Sequence, residues 1–213
     1  MEVFLPGVEV TKFMERIHFV GKLASALSPD KKADLGQNLT VLVPNSVPVA
    51  VAYEIVLQSY LFFGYAQAIE SAKTFSETML KKQILIPHSV DENAAGNAWR
   101  KRGEALCRKI YAPNFERLVA NMAAVSPELS DWMIDEGYGK VLSRPGPTEL
   151  EREVASVVFL AISGHPVQLY SHIRGAKNLG ASEVLMVSIS EHSDLSESQQ
   201  KLVLSTIEKV FGS

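Results

Sequence analysis

Apolar residues recur at three- and four-residue spacing along most of the chain, and strict alternation rarely lasts more than a few residues. Three- and four-residue spacing lines one stripe of a helix, whereas a half-buried strand alternates. The expected fold class is therefore all-α. Stop and start signals divide the pattern. Ser28-Pro29-Asp30 reads as an N-cap with proline at the first helical position, opening a helix with Ala33, Leu35 and Leu39 on one side. Pro44 and Pro48 then punctuate the chain. A helix is predicted from about Ala50 to Phe62, ended or bent at Gly64, with another from Tyr65 to Phe75. Helices are also expected from Ala105 to Tyr111 and from Phe115 to Val125, and Ser126-Pro127 opens a further one. Tyr138-Gly139 is read as a turn. Thr148 and Glu151 match a capping box for a helix running to about Ser163. Val167 to Leu179 comes next, and Ser182 and Ser196 cap the last two helices.

With 213 residues the chain holds one or two units. Residues 81–103 are polar and interrupted by proline and glycine, so they read as a connection between an N-terminal unit (1–80) and a C-terminal one (104–213). The two halves echo each other weakly, as drifted copies of a duplicated unit would. A net charge of −3 supplies no basic footprint for nucleic acid. The most apolar stretch, Val47 to Ala66, carries Glu54, Gln58 and Ser59 in its middle, so it reads as a buried helix and not a membrane span. Pro6-Gly7 interrupts the N-terminal apolar run, and no export signal is read there. A single cysteine, Cys107, excludes an intrachain disulfide and a CxxC redox pair, and points to a reducing, cytoplasmic setting. That cysteine reads as a small core side chain.

The segment from Arg144 to Gly180 concentrates the chemistry. His165, Gln168 and His172 are three and four residues apart, a spacing that places them toward one face of a helix and its leading turn. Glu153 lies on the preceding helix. An antiparallel pair turning at Ser163-Gly164-His165-Pro166 brings it beside His172. A carboxylate facing an imidazole sets the tautomer and raises basicity, as general acid/base work requires. The same residues also fit a buried hydrogen-bonded network with no chemistry, because buried polar groups must be paired in any case. The spacing is not that of HExxH, and no metal is assigned. Arg144 can tie its loop to a neighbouring helix end, and Arg174 can be a solvated charge. His18, His88 and His192 have no partner in sequence and carry no assignment.

Three stretches resemble the carboxymuconolactone decarboxylase family: Tyr138-Gly139-Lys140-Val141-Leu142-Ser143-Arg144-Pro145-Gly146, Glu151-Arg152-Glu153-Val154, and Gln168 through Gly180. Tyr53 through Tyr65 resembles the family's closing helix pair. The resemblance implies a helical fold of the hydroperoxide-reductase-D-like kind, a degenerate tandem duplication, and assembly into homo-oligomers. In one branch of that family a Glu, a CxxC pair and a His act together; aligned on Glu153 and His172, the cysteine positions are His165 and Gln168, so disulfide chemistry cannot run. A peroxidase-like role is thereby disfavoured. The decarboxylase branch implies a cofactor-independent lyase acting on a small anionic lactone or carbonyl acid. His172 would be its acid/base, Glu153 its orienting group, and His165 and Gln168 its donors. Arg144, Arg174 and Tyr170 would hold the substrate. A scaffold or small-molecule-binding protein of the same fold stands as the alternative.

Overall fold

The computed structural model describes residues 6–43, 48–87 and 96–212. Every regular element among them is helical. The α-helices are α1 (Pro6–Ala26), α2 (Leu35–Leu42), α3 (Val49–Gln58), α4 (Tyr60–Lys81), α5 (Gly96–Tyr111), α6 (Phe115–Val125), α7 (Pro127–Trp132), α8 (Glu149–Ser163), α9 (Pro166–Asn178), α10 (Glu183–His192) and α11 (Glu197–Phe211). Short 3-10 turns at Pro29–Asp34 and Ala112–Asn114, and a π-helix at Met133–Leu142, complete the order.

The cap signals act where side chains can reach the free amides of a first turn. Thr148 and Glu151 form a reciprocal capping box on α8, Ser196 and Gln199 do the same on α11, and Ser126 and Ser182 each accept one amide. Ser28 does not: its side chain makes no cap bond, and Pro29 opens a 3-10 turn before α2. The helix predicted to reach Phe62 ends at Gln58. There the Ser59 hydroxyl donates to Val56 O at 2.7 Å, and the path turns by 111° into α4. Gly64, at φ 81° and ψ 167°, interrupts α4 again. No single described helix is long and apolar enough to cross a membrane.

α8 is the axis of the molecule. All eleven residues from Glu151 to Ala161 are buried, and α1, α4, α9 and α11 pack around it. Its apolar side chains join a core to which Leu23, Leu39 and Ile55 contribute from the N-terminal half and Leu169, Ile189 and Val203 from the C-terminal half. A smaller core unites Leu106, Cys107 and Ile110 of α5 with Phe115 and with Ile134, Tyr138 and Leu142 of the π-helix. The larger core is thus shared by residues on either side of the segment 81–103. That segment is itself part helix, since α5 begins at Gly96; residues 88–95, which include His88, lie outside the described residues.

A buried helix must neutralise its charges, and three consecutive ones on α8 point to three elements. Glu151 is bound by Arg16 of α1, with Nη2 to Oε2 at 3.0 Å. Arg152, 1% exposed, donates to Glu54 of α3 at 3.0 Å and to the Arg144 carbonyl at 3.1 Å. Arg144 grips the same Glu54 carboxylate with Nε at 2.9 Å and Nη2 at 3.0 Å. Gln58 completes the network, donating to the Arg152 carbonyl at 2.9 Å and to Ser156 Oγ at 3.0 Å.

α5 and the π-helix touch backbone to backbone. A Cβ at Gly103 would stand 2.2 Å from the Ile134 carbonyl oxygen, and one at Gly139 would stand 2.2 Å from that of Trp99. Tyr138-Gly139, expected as a turn, therefore lies inside a helix, where the glycine serves as a contact surface. Elsewhere, His18 of α1 and His192 of α10 stack with ring centroids 4.1 Å apart and planes 5° apart, and Ser188 Oγ lies 2.8 Å from His18 Nε2.

These contacts set the response to substitution and to pH. Gly103→Ala forces backbone apart and is expected to lose about 1–3 kcal/mol in urea unfolding; Gly137→Ala, whose Cβ meets nothing within 4 Å, should be neutral or slightly stabilising. Burial, then the neighbouring His192 and Lys22, lowers the His18 pKa. The unfolded chain consequently binds the proton more readily, and the contribution of neutral His18, full at higher pH, is lost as pH falls below about 6.5. Melting temperature measured against pH should drop across that window, and His18→Gln should flatten the drop.

Candidate functional site

Glu153 and His172 meet between α8 and α9. Gly164 ends α8 in the left-handed conformation at φ 71°, and Pro166 starts α9, so the chain reverses tightly and sets the two helices side by side. His172 Nδ1 lies 2.9 Å from Glu153 Oε2. The Nδ1 proton goes to the carboxylate, which leaves Nε2 as the nitrogen free to exchange a proton. Glu153 is 1% exposed, and the His172 side chain 12%. The edge of Phe62 covers the imidazole, with ring centroids 6.3 Å apart at 70°.

One close approach makes the pair fit. A Cβ at Gly175 would stand 2.7 Å from Glu153 Oε2 and 2.7 Å from Ile110 Cγ2. Glycine within a helix costs up to about 1 kcal/mol against alanine, and here its bareness admits a carboxylate. The second carboxylate oxygen, Oε1, is buried without a hydrogen-bond partner among the described residues. Around it stand groups whose ionisation the carboxylate opposes. Burial first, then Glu153, pushes the Cys107 thiol up to about 12, and burial with the same carboxylate raises Tyr111 and Tyr138. Cys107 is thus a protonated core side chain and not a nucleophile. Tyr138 donates to the Tyr111 hydroxyl at 2.9 Å.

Beside this cluster a cleft of about 190 Å³ opens between the end of α5, α6 and α9, lined by Tyr111, Arg117, Tyr170, Arg174, Gly175 and Asn178 among others. Gly175 and Tyr111 thus face the cleft and adjoin the buried carboxylate. Glu153 and His172 themselves do not line it.

The residues singled out in sequence are dispersed accordingly. Glu153 and His172 are hydrogen-bonded; Tyr170 and Arg174 share the neighbouring cleft. Gln168 is exposed one turn before His172. His165 is exposed at the N-cap of α9, seven residues or roughly 10 Å along the axis from His172, beyond hydrogen-bond reach. Arg144 is held by Glu54 and lines other clefts, away from Arg174. Sequence reasoning missed Arg117, Tyr111 and Phe62, which come from helices distant in the chain. Gly175 did leave a signal, since a glycine inside a helical pattern marks a close approach. Among the described residues no group of three or more His, Cys, Asp or Glu side chains is placed to hold a metal ion.

No family model matches the chain. A stretch of 89 residues is 32% identical to Peroxisomal protein 2 of Schizosaccharomyces pombe (strain 972 / ATCC 24843), covering 41% of this chain and 42% of that protein.

Proposed function

We propose that the protein is a cofactor-independent lyase of the carboxymuconolactone decarboxylase kind, transferring a proton to or from a small anionic lactone or carbonyl acid. The observation that carries this reading is the 2.9 Å bond between His172 and a carboxylate 1% exposed. Structural pairing alone would be met by any donor; an imidazole adds a second ring nitrogen that can take up or give a proton while its partner orients it. In the reaction the bond from carbon to the departing carboxylate breaks as carbon dioxide leaves. The electron pair moves through the conjugated system to the carbonyl oxygen, and the resulting dienolate takes a proton at carbon. His172 Nε2, having first taken a proton from solvent, delivers it to that carbon, and Glu153 steadies the imidazolium until it does. Gln168, on the same side of α9, is the donor best placed to meet the developing oxyanion, and His165 acts on the substrate's outer end. Arg174 and Tyr170 draw the anion toward α9, and Arg144 serves the site by holding the loop before α8.

The alternative is a small-molecule-binding protein without turnover, and it draws on the fact that neither Glu153 nor His172 lines the cleft holding Arg174. The expected homo-oligomer has exposed Val125, Leu129 and Trp132 at the α6–α7 corner to bury. We read the compartment as cytoplasmic from the single cysteine; the name of the partial relative refers to the peroxisome, and cell fractionation separates the two.

Incubating the chain with a panel of unsaturated lactone acids and β-keto acids in deuterium oxide tests the reading. Turnover should release carbon dioxide and leave deuterium on carbon. His172→Ala and Glu153→Gln should each lower kcat by about 10²–10⁴-fold, the usual share of acid/base catalysis. Full turnover by His172→Ala would remove the assignment, and ligand binding without carbon dioxide release would favour the alternative.

A further inference from the structure

Arg174 is half-buried in the cleft beside Gly175, and among the described residues it makes no hydrogen bond or ion pair. Arg117, on the opposite wall, is bonded among those residues only to the neutral Asn114 side chain, with Nη2 to Oδ1 at 2.6 Å. No described aspartate or glutamate lines the cleft. Five other guanidinium groups are paired with carboxylates: Arg16 with Glu151, Arg100 with Asp131 and Asp135, Arg108 with Glu116, and Arg144 and Arg152 with Glu54. Two cations set into one concavity with no acidic side chain in its lining repel each other and attract an outside charge, while the Glu153 carboxylate stands behind the Gly175 wall.

We propose that this cleft is an oxyanion site for a small, doubly charged anion, gripped from α6 by Arg117 and from α9 by Arg174. Guanidinium groups present planar forks that match carboxylate and phosphate oxygens two bonds at a time. Asn121 adds a neutral amide donor on α6, and the rings of Tyr111 and Tyr170 flank the space. At about 190 Å³ the cleft lies below the ~300–1,000 Å³ of sites for drug-sized ligands, so it suits a metabolite-sized dianion. A phosphate monoester and a short dicarboxylate share this chemistry. The site goes beyond the proton transfer proposed above, since binding here needs no contact with His172.

Calorimetric titration of the full chain with inorganic phosphate, succinate and acetate separates the cases. Phosphate or succinate should bind, with affinity falling as salt rises; the tighter of the two identifies the oxyanion as phosphate or carboxylate. Acetate should bind at least about tenfold more weakly. Arg117→Ala and Arg174→Ala should each lower the affinity by about tenfold or more, the cost of losing a charge-assisted pair of bonds. Arg174→Lys, which keeps the charge and loses the fork, should fall between. Far-UV circular dichroism verifies that each variant is folded. His172→Ala should bind as the unmodified chain does, so that failure of turnover and failure of binding are separate results. Acetate binding as tightly as the dianions, arginine variants with unchanged affinity, or an equal loss in His172→Ala would each overturn the proposal.

Discussion

Three consecutive ionisable residues, Glu151, Arg152 and Glu153, sit on a helix that is buried on all sides. Removing a charge from water costs several kcal/mol unless a partner of opposite charge or a set of donors replaces the lost solvent. Successive helical positions point about 100° apart. Each of the three must therefore find its partner on a different neighbour: Arg16 on α1, Glu54 on α3 and His172 on α9. These polar pairs supply direction that apolar packing lacks. Oily contacts would let α8 rotate or slide among its neighbours, whereas two ion pairs and a carboxylate–imidazole hydrogen bond at successive positions hold both its register and its rotation.

The same arrangement explains why the candidate site lies where it does. Glu153 is the member whose partner is an imidazole, and the space for its carboxylate is left by the bare Gly175. The smaller core then closes over the far side. Asn178 of α9 donates to the Ile110 carbonyl of α5 at 2.7 Å, and the Tyr138–Tyr111 bond links the π-helix to that same end of α5. The two cores and the cleft with Arg117 and Arg174 thus share one seam, so the electrostatics of the site depend on how α5 sits on α9.

Much of the local structure is legible in the sequence because it is written in short-range terms. Thr148 with Glu151 and Ser196 with Gln199 cap helices as their spacing implies, and Gly164-His165-Pro166 reverses the chain between α8 and α9. The pairing of Glu153 with His172 stems from that reversal, since both lie a few turns from one hairpin. The local signals end where a contact is made between segments far apart. Nothing within a few residues of Gly139 distinguishes a turn from a helix pressed onto the Trp99 backbone. Arg144 reads in sequence as a substrate ligand, and only the structure shows that Glu54, ninety residues earlier, binds it at Nε and Nη2. His18 and His192 have no sequence neighbour to reveal that their rings stack.

By itself, then, the sequence determined the helical class, most helix ends from Tyr111 onward, the lack of a disulfide-forming pair in a chain with a single cysteine, and the presence of a carboxylate and an imidazole on one hairpin. Periodicity, capping and residue counts act over a few bonds and need no tertiary context. Only the tertiary structure decided that both halves build one larger core, that Arg144 belongs to a buried network while Arg174 faces a cleft with Arg117, and that His165 stands apart from His172. The physical reason is desolvation. Which charges are buried, and hence which must be paired and which stay available to a ligand, is set by the packing of helices distant in the chain, and one-dimensional spacing carries no record of it.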